Sequence, residues 1–125
     1  AVGCVKFGAS THVANIILTA MRHSPKTRAA LNLHYDPRLV EAMKKSGLKI
    51  SSFDRSLEPT EIKSIEGGTL SWGTEEAIRR FGGVPDAIYD LGEVGKEPMI
   101  RVLGTSATAS VEKVLKALIH LDGDR

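Results

Sequence analysis

The 125 residues are 42% hydrophobic and carry 17 basic against 15 acidic side chains, a formal charge of +2, which suffices for one packed domain and not for two. The charges are interleaved, only 5% of residues are aromatic and no basic run reaches four residues, so the domain has neither a phosphate-backbone track nor a base-stacking platform and nucleic acid is not an expected partner. Cys4 is the single cysteine, which excludes an internal disulfide and a thiolate zinc site, and the absence of a long apolar run or signal-peptide pattern predicts a cytoplasmic chain with no membrane partner.

Val2, Cys4, Val5 and Phe7 form a strand-like lead-in, and from Val13 the apolar residues Val13, Ile16, Ile17, Ala20 and Met21 fall at helical spacing. The period therefore changes from two to 3.6 at Gly8. The junction Gly8-Ala9-Ser10-Thr11-His12 has two readings. One is an ordinary strand-to-helix turn with Ser10 as N-cap. The other is an anion site, where the first backbone N–H groups of the helix and the positive end of its dipole hold phosphate or pyrophosphate. His12, one residue before the apolar stripe, is placed to face whatever the turn binds and favours the second.

The first helix is expected from about Ser10 to His23. Ser24-Pro25 then predicts a short helix through about Leu31, and Asn32 to Tyr35 a short strand. Asp36-Pro37 opens a helix with Leu39, Val40 and Met43 inward that ends near Gly47, and Leu48, Ile50 and Phe53 mark the next strand. The polar stretch Asp54 to Trp72 is expected to hold one short helix, around Glu61 to Ile65. Thr74 is read as the cap of a helix to Phe81, with Glu75 and Glu76 in its first turn. Strands follow at Ala87 to Tyr89 and Met99 to Leu103, joined by Asp90 to Pro98. The last helix places Val111, Val114, Leu115, Leu118 and Leu121 on one face. No helix shows a second apolar face, which argues against a protein-interaction module. Strands alternating with helices imply an α/β fold, a single domain over 1–125 with a mixed sheet flanked by helices. The opening at Ala1, inside a strand pattern, suggests part of a longer polypeptide.

Two segments hold more polar and glycine residues than plain turns need: Phe53-Asp54-Arg55 through Glu66-Gly67-Gly68-Thr69, and Tyr89-Asp90 through Gly95-Lys96-Glu97-Pro98. Gly95-Lys96 is not a Walker motif, since position 90 is Asp and position 97 is Glu. The second segment is either a charged hairpin loop or a ligand loop, with Lys96 as phosphate counter-charge and Asp90 or Glu97 as a magnesium ligand or ligand clamp. His12 and His23 lie too far apart on one helix to share an ion.

The runs Phe7-Gly8-Ala9-Ser10-Thr11-His12-Val13-Ala14, Ala20-Met21-Arg22-His23-Ser24-Pro25, Leu31-Asn32-Leu33-His34-Tyr35, Ser52-Phe53-Asp54-Arg55, Glu66-Gly67-Gly68-Thr69-Leu70-Ser71-Trp72-Gly73, Pro85-Asp86-Ala87-Ile88-Tyr89-Asp90 and Gly95 to Gly104 together resemble the ThiN-type thiamine-phosphate synthase domain. The resemblance covers nearly the whole chain in the same order. It implies an archaeal-type domain that joins hydroxymethylpyrimidine diphosphate to hydroxyethylthiazole phosphate and releases pyrophosphate. Such domains often follow a fused hydroxymethylpyrimidine (phosphate) kinase, and similar ones follow a DNA-binding domain and sense thiamine phosphates.

On that resemblance, His12 is the catalytic residue, binding or protonating the departing diphosphate. Gly8, Ala9, Ser10 and Thr11 cradle phosphate, Arg22 or Arg55 clamps it, and Asn32, Asp54, Gly67, Thr69 and Lys96 complete the substrate site. Mg2+ is the implied cofactor, with Asp54, Asp90 or Glu97 as ligands. Family members often carry Arg at the positions of Thr11 and Asn15, and begin some tens of residues earlier with a Gly-Arg segment. The expected reading is therefore synthase first and thiamine-phosphate sensor second. A homodimer is the open possibility for assembly. The turn, the Asp54-Arg55 segment, the Glu66 to Thr69 segment and the Asp90 to Glu97 loop are expected to converge on one cleft.

Overall fold

The computed structural model of the chain describes residues 11–63, 68–93 and 95–123. The lead-in strand, Gly8 to Ser10 and Gly67 lie outside the described residues. Within them the order is α1 (Thr11–His23), β1 (Ala29–His34), α2 (Pro37–Lys45), β2 (Ile50–Ser52), a 3-10 turn (Arg55–Leu57), α3 (Thr60–Lys63), α4 (Gly68–Phe81), β3 (Ala87–Asp90), β4 (Met99–Gly104) and α5 (Ala107–Gly123).

The four strands form one mixed sheet in the order β1-β4-β3-β2. β4 lies antiparallel to both neighbours, and β2 runs parallel to β3. The expected α/β architecture is thus present. Alternation along β4 divides the core in two. Ile100 and Val102 pack with Val40, Ala42, Met43 and Ala117 under α2 and α5, while Leu103 packs with Ile16, Ala20, Phe53, Leu70 and Ile78 under α1 and α4. Two such buried faces make a three-layer domain, helices on both sides of the sheet.

Chain direction decides where a site can form. β1, β2 and β3 all finish at one end of the sheet, beside the start of β4. α1 leads into β1 through residues 24–28 and packs over the sheet, so its first turn, with Thr11 and His12, is directed toward that same end. Thirteen residues give it a length of roughly 20 Å, comparable to the strand it covers.

Three expectations are corrected. Ser24-Pro25 opens no helix: the Thr27 N–H closes a turn onto the Ser24 carbonyl at 3.0 Å, and the Arg28 N–H already pairs with Gly104 of β4 at 2.9 Å. The ladder with β4 captures residues 29–34, a longer strand than expected, because Leu31 and Leu33 face one core and Ala30 the other. Thr74 is no cap but a buried residue inside α4, 1% exposed, since Leu70, Ala77 and Ile78 form one helical face across it. Gly73 belongs to that face because a Cβ there would fall on the Phe53 ring.

The third correction concerns α5, whose buried side is Ser110 and Ala117 with Val114 and Leu121 partly covered. Val111, Leu115, Leu118 and Ile119 stand exposed at helical spacing, so this helix does carry a second apolar face. By contrast the Asp36-Pro37 start is as expected: the Asp36 carboxylate accepts from the Arg38 N–H at 2.9 Å with Pro37 in the first turn.

Candidate functional site

At the end of the sheet where β2 and β3 finish, Asp90 is fully buried as the last residue of β3. Its two carboxylate oxygens are held by two arginines. Arg55 Nε donates to Oδ1 at 3.0 Å, and Arg101 Nη1 on β4 donates to Oδ2. The Gly92 N–H adds a third bond to Oδ1 at 2.8 Å, in a turn where Gly92 takes φ +77°, a conformation favoured by glycine. Two buried guanidinium groups on one carboxylate leave a net positive centre. Burial drives the Arg101 guanidinium below its ordinary pKa, against the pull of Asp90, and the nearby Arg55 charge adds to the lowering.

Arg55 is set by its own turn. Asp54 caps the 3-10 turn, accepting from the Ser56 N–H at 2.9 Å and the Ser56 hydroxyl at 2.7 Å, bonds that hold its carboxyl below the usual range. This turn directs Arg55 back under the end of β3. In front of it opens a cleft of about 170 Å³ lined by Ser52, Phe53, Asp54, Arg55, Arg80, Tyr89, Leu91 and Gly92. Arg80 bonds the Ser52 carbonyl through Nη1 at 3.1 Å. The volume is small beside an ordinary ligand pocket and suits a single ring or a phosphate group. Its place, beyond the carboxyl ends of two parallel strands, is where open α/β sheets usually bind ligands.

Phe53 joins the cleft to the core. Trp72 meets its ring edge-on at 6.1 Å between centroids, and the Arg101 guanidinium lies 6.0 Å from its centre. Such a cation–aromatic contact adds about 1 kcal/mol or more where water is excluded.

The family model for thiamine-phosphate synthase ThiN matches residues 1–116. The chain belongs to the ThiN family. It is 50% identical over 113 residues to the bifunctional thiamine biosynthesis protein ThiDN of Methanocaldococcus jannaschii, covering 90% of this chain and 26% of that protein. It is 41% identical over 122 residues to the thiamine-phosphate synthase ThiN of Methanothermobacter thermautotrophicus, covering 95% of this chain and 64% of that one. This ThiN-family chain thus spans about a quarter of one relative and just under two thirds of the other. Among solved structures, the C-terminal domain of protein MJ0236 superposes with a TM-score of 0.83 at 45% identity, over 94% of this chain and 62% of that one. The C-terminal domain of a phosphomethylpyrimidine kinase gives 0.78 at 44%, over 92% and 63%.

Of the residues the sequence singles out, Asp54 and Arg55 line the cleft. Thr11 and His12 open α1, and Thr69 lies in the first turn of α4. Asn32 sits on β1 directly opposite Arg101. Others lie away from the cleft or are held by other partners. Arg22 belongs to the last turn of α1, 3.9 Å from Glu75, and ten residues of helix put it roughly 15 Å from His12. Lys96 lies exposed on a small hairpin, its backbone bridged to Glu93, and does not line the cleft. Asp90 does not fit a magnesium site, because both its oxygens are committed to guanidinium and amide donors. Glu97 is exposed and pairs with His34 at 3.3 Å, and the described residues hold no group of three metal-ligating side chains.

Sequence reasoning missed Arg101 and Arg80, whereas Tyr89, Leu91 and Gly92, which wall the cleft beside Asp54 and Arg55, lie in the second segment it singled out. For Arg101 the signal was present. A charged residue inside Met99-Ile100-Arg101-Val102-Leu103, an otherwise apolar strand, must be buried and so must have a buried partner.

Proposed function

We propose that this domain forms thiamine phosphate from hydroxymethylpyrimidine diphosphate and hydroxyethylthiazole phosphate, releasing pyrophosphate, and does so in the cytoplasm. The observation that carries this reading is the cationic, aromatic-walled cleft at the strand ends, with Arg55 and Arg80 beside Phe53 and Tyr89, in a chain of the ThiN family. In the reaction the thiazole nitrogen lone pair forms a bond to the pyrimidine methylene carbon. The C–O bond to the diphosphate breaks, and its electron pair leaves with the diphosphate oxygen. Negative charge therefore grows on the leaving group, where fixed cations and helix N–H groups stabilise the transition state more than the ground state. Arg55 and Arg80 supply that charge from the cleft, and the first turn of α1, with His12, supplies helix N–H groups from the same end of the sheet.

Magnesium is the usual companion of a diphosphate, and here it would need ligands other than Asp90, whose oxygens are held by guanidinium and amide donors. No helix among the described residues is long and apolar enough to cross a membrane. One similar solved structure is the C-terminal domain of a phosphomethylpyrimidine kinase, and a like fusion to a kinase is part of this proposal for the present chain.

The test is thiamine-phosphate formation from the two purified substrates, paired with calorimetric binding of the product. His12→Ala is expected to lower turnover by about 10²-fold while product affinity changes far less, as for a group acting mainly in the transition state. Parental turnover in that variant would make His12 a helix-start residue only. Product binding without turnover in the parent chain would replace synthesis by sensing.

A further inference from the structure

Behind the cleft lies a second polar feature that the reading above does not use. On β1, Leu31 and Leu33 face the α2/α5 core while Ala30 faces the α1/α4 core, so alternation points Asn32 to the α1/α4 side. Arg101, between Ile100 and Val102, faces that side too, over the Phe53 ring. The two are register partners across an antiparallel pair, which brings their Cβ atoms to about 5 Å. Yet Asn32 Oδ1 and Arg101 Nε are both buried without a hydrogen-bond partner. The acceptor and the donor belong to residues paired across the two strands, each unmade at a cost of about 1–3 kcal/mol. Arg101 is 97% buried, being 3% exposed, and is fixed through Nη1 on Asp90, whose other oxygen holds the cleft residue Arg55. The pair is therefore coupled rigidly to the cleft.

A ligand edge that satisfies both must present a donor beside an acceptor. An aminopyrimidine does so, with its exocyclic amino group next to a ring nitrogen, whereas a thiazole or a phosphate does not. We propose that Asn32 and Arg101 read the amino edge of the pyrimidine substrate: Asn32 Oδ1 accepts from the amino group and Arg101 Nε donates to the ring nitrogen. The choice of a pyrimidine rests on the synthase reading, and the donor–acceptor pattern does not. Arg55 and Arg80 then take the diphosphate end of the same molecule at the cleft. The pair sets specificity, since a site built to bond an amino group rejects an analogue without it by orders of magnitude.

The experiment measures calorimetric binding of the free hydroxymethyl aminopyrimidine and of its deamino analogue, together with kcat/KM for the diphosphate of each. The parent should prefer the amino compound by about 10²-fold or more. Asn32→Ala should abolish the preference and leave binding of the thiazole phosphate unchanged. Asn32→Leu is the decisive variant, because a side chain of similar shape removes the acceptor without leaving another unpaired polar atom: Tm should hold or rise while the pyrimidine preference is lost. A purely structural role would move the two together. Equal binding of both pyrimidines by the parent, or parental preference retained in Asn32→Ala and Asn32→Leu, would overturn the proposal and assign the pair to a buried water. A parent that prefers the amino compound, loses the preference in the variants, and makes no thiamine phosphate would overturn the synthase reading and leave this one standing.

Discussion

Asp90 concentrates the physics of this domain in one side chain. It is buried between Arg55 and Arg101, and breaking such a pair harms more than making it helps, because the partners are left charged and dry. Asp90→Ala is therefore expected to destabilise by about 3–5 kcal/mol in urea unfolding. Asp90→Asn, which keeps an acceptor for the Gly92 N–H, should lose less. A variant of near-parental stability would mean that the two guanidinium groups reach water. From sequence alone the strand ends at Tyr89 and Asp90 falls in the loop that follows, whereas it is the last residue of β3. Sequence reads Asp90 as part of a charged hairpin loop or as a magnesium ligand or ligand clamp, and could not show that Arg55 and Arg101 would meet its carboxylate.

At the scale of elements, two helices test how faces are assigned. In α4, Gly73 sits where the Phe53 ring approaches the backbone. Gly73→Ala gains about 1 kcal/mol of helix propensity and loses about 1–3 kcal/mol to overpacking. The expected net is a lower Tm together with a weakened cleft, since Phe53 forms part of its wall; a raised Tm would show that the ring can move aside freely. In α5, Ala117 is fully buried while Ile119 is 70% exposed. Ala117→Leu should destabilise by about 1–3 kcal/mol, and Ile119→Lys should stay within about 0.5 kcal/mol of the parent. The reverse ranking in thermal unfolding would contradict the face described. Periodicity alone put Val111, Val114, Leu115, Leu118 and Leu121 on one face of this helix. Small residues, Ser110 and Ala117, turned out to be the ones pressed against the sheet.

For the whole molecule, acid is the informative stress. Glu75 of α4 is bonded to His23 Nε2 at the end of α1 at 2.7 Å and to Arg79 of its own helix at 3.1 Å, and these bonds, His23 first, hold its carboxyl below the ordinary range. Asp86 joins the lead into β3 to α5. Burial pushes its carboxyl up, but the Lys113 ammonium at 2.8 Å and the Lys49 N–H at 2.8 Å outweigh that and leave it lowered. A carboxyl with a depressed folded-state pKa adds stability that is present above its unfolded value, near 4, and lost as pH falls through the folded value. Tm should thus hold near neutrality and fall below about pH 4. Asp86→Asn should start with a lower Tm at pH 7 and show a smaller acid loss. An acid loss as large as the parent's would remove Asp86 from the account.

The sequence by itself determined the alternation of strands and helices, the start of α2, the run of the last two strands and the family, because each of these is written in local spacing, capping residues or a long ordered set of motifs. It also singled out Asp54 and Arg55, which line the cleft. Only the tertiary structure decided that residues 29–34 are a strand rather than a helix end, because their backbone N–H and carbonyl groups find partners on β4, some seventy residues on. The same holds for Arg22, turned to Glu75, and for Asp90, claimed by two arginines. A side chain's chemistry can be read from its type, but a buried charge takes its role from the partners that sheet register and helix packing bring to it, and those are non-local.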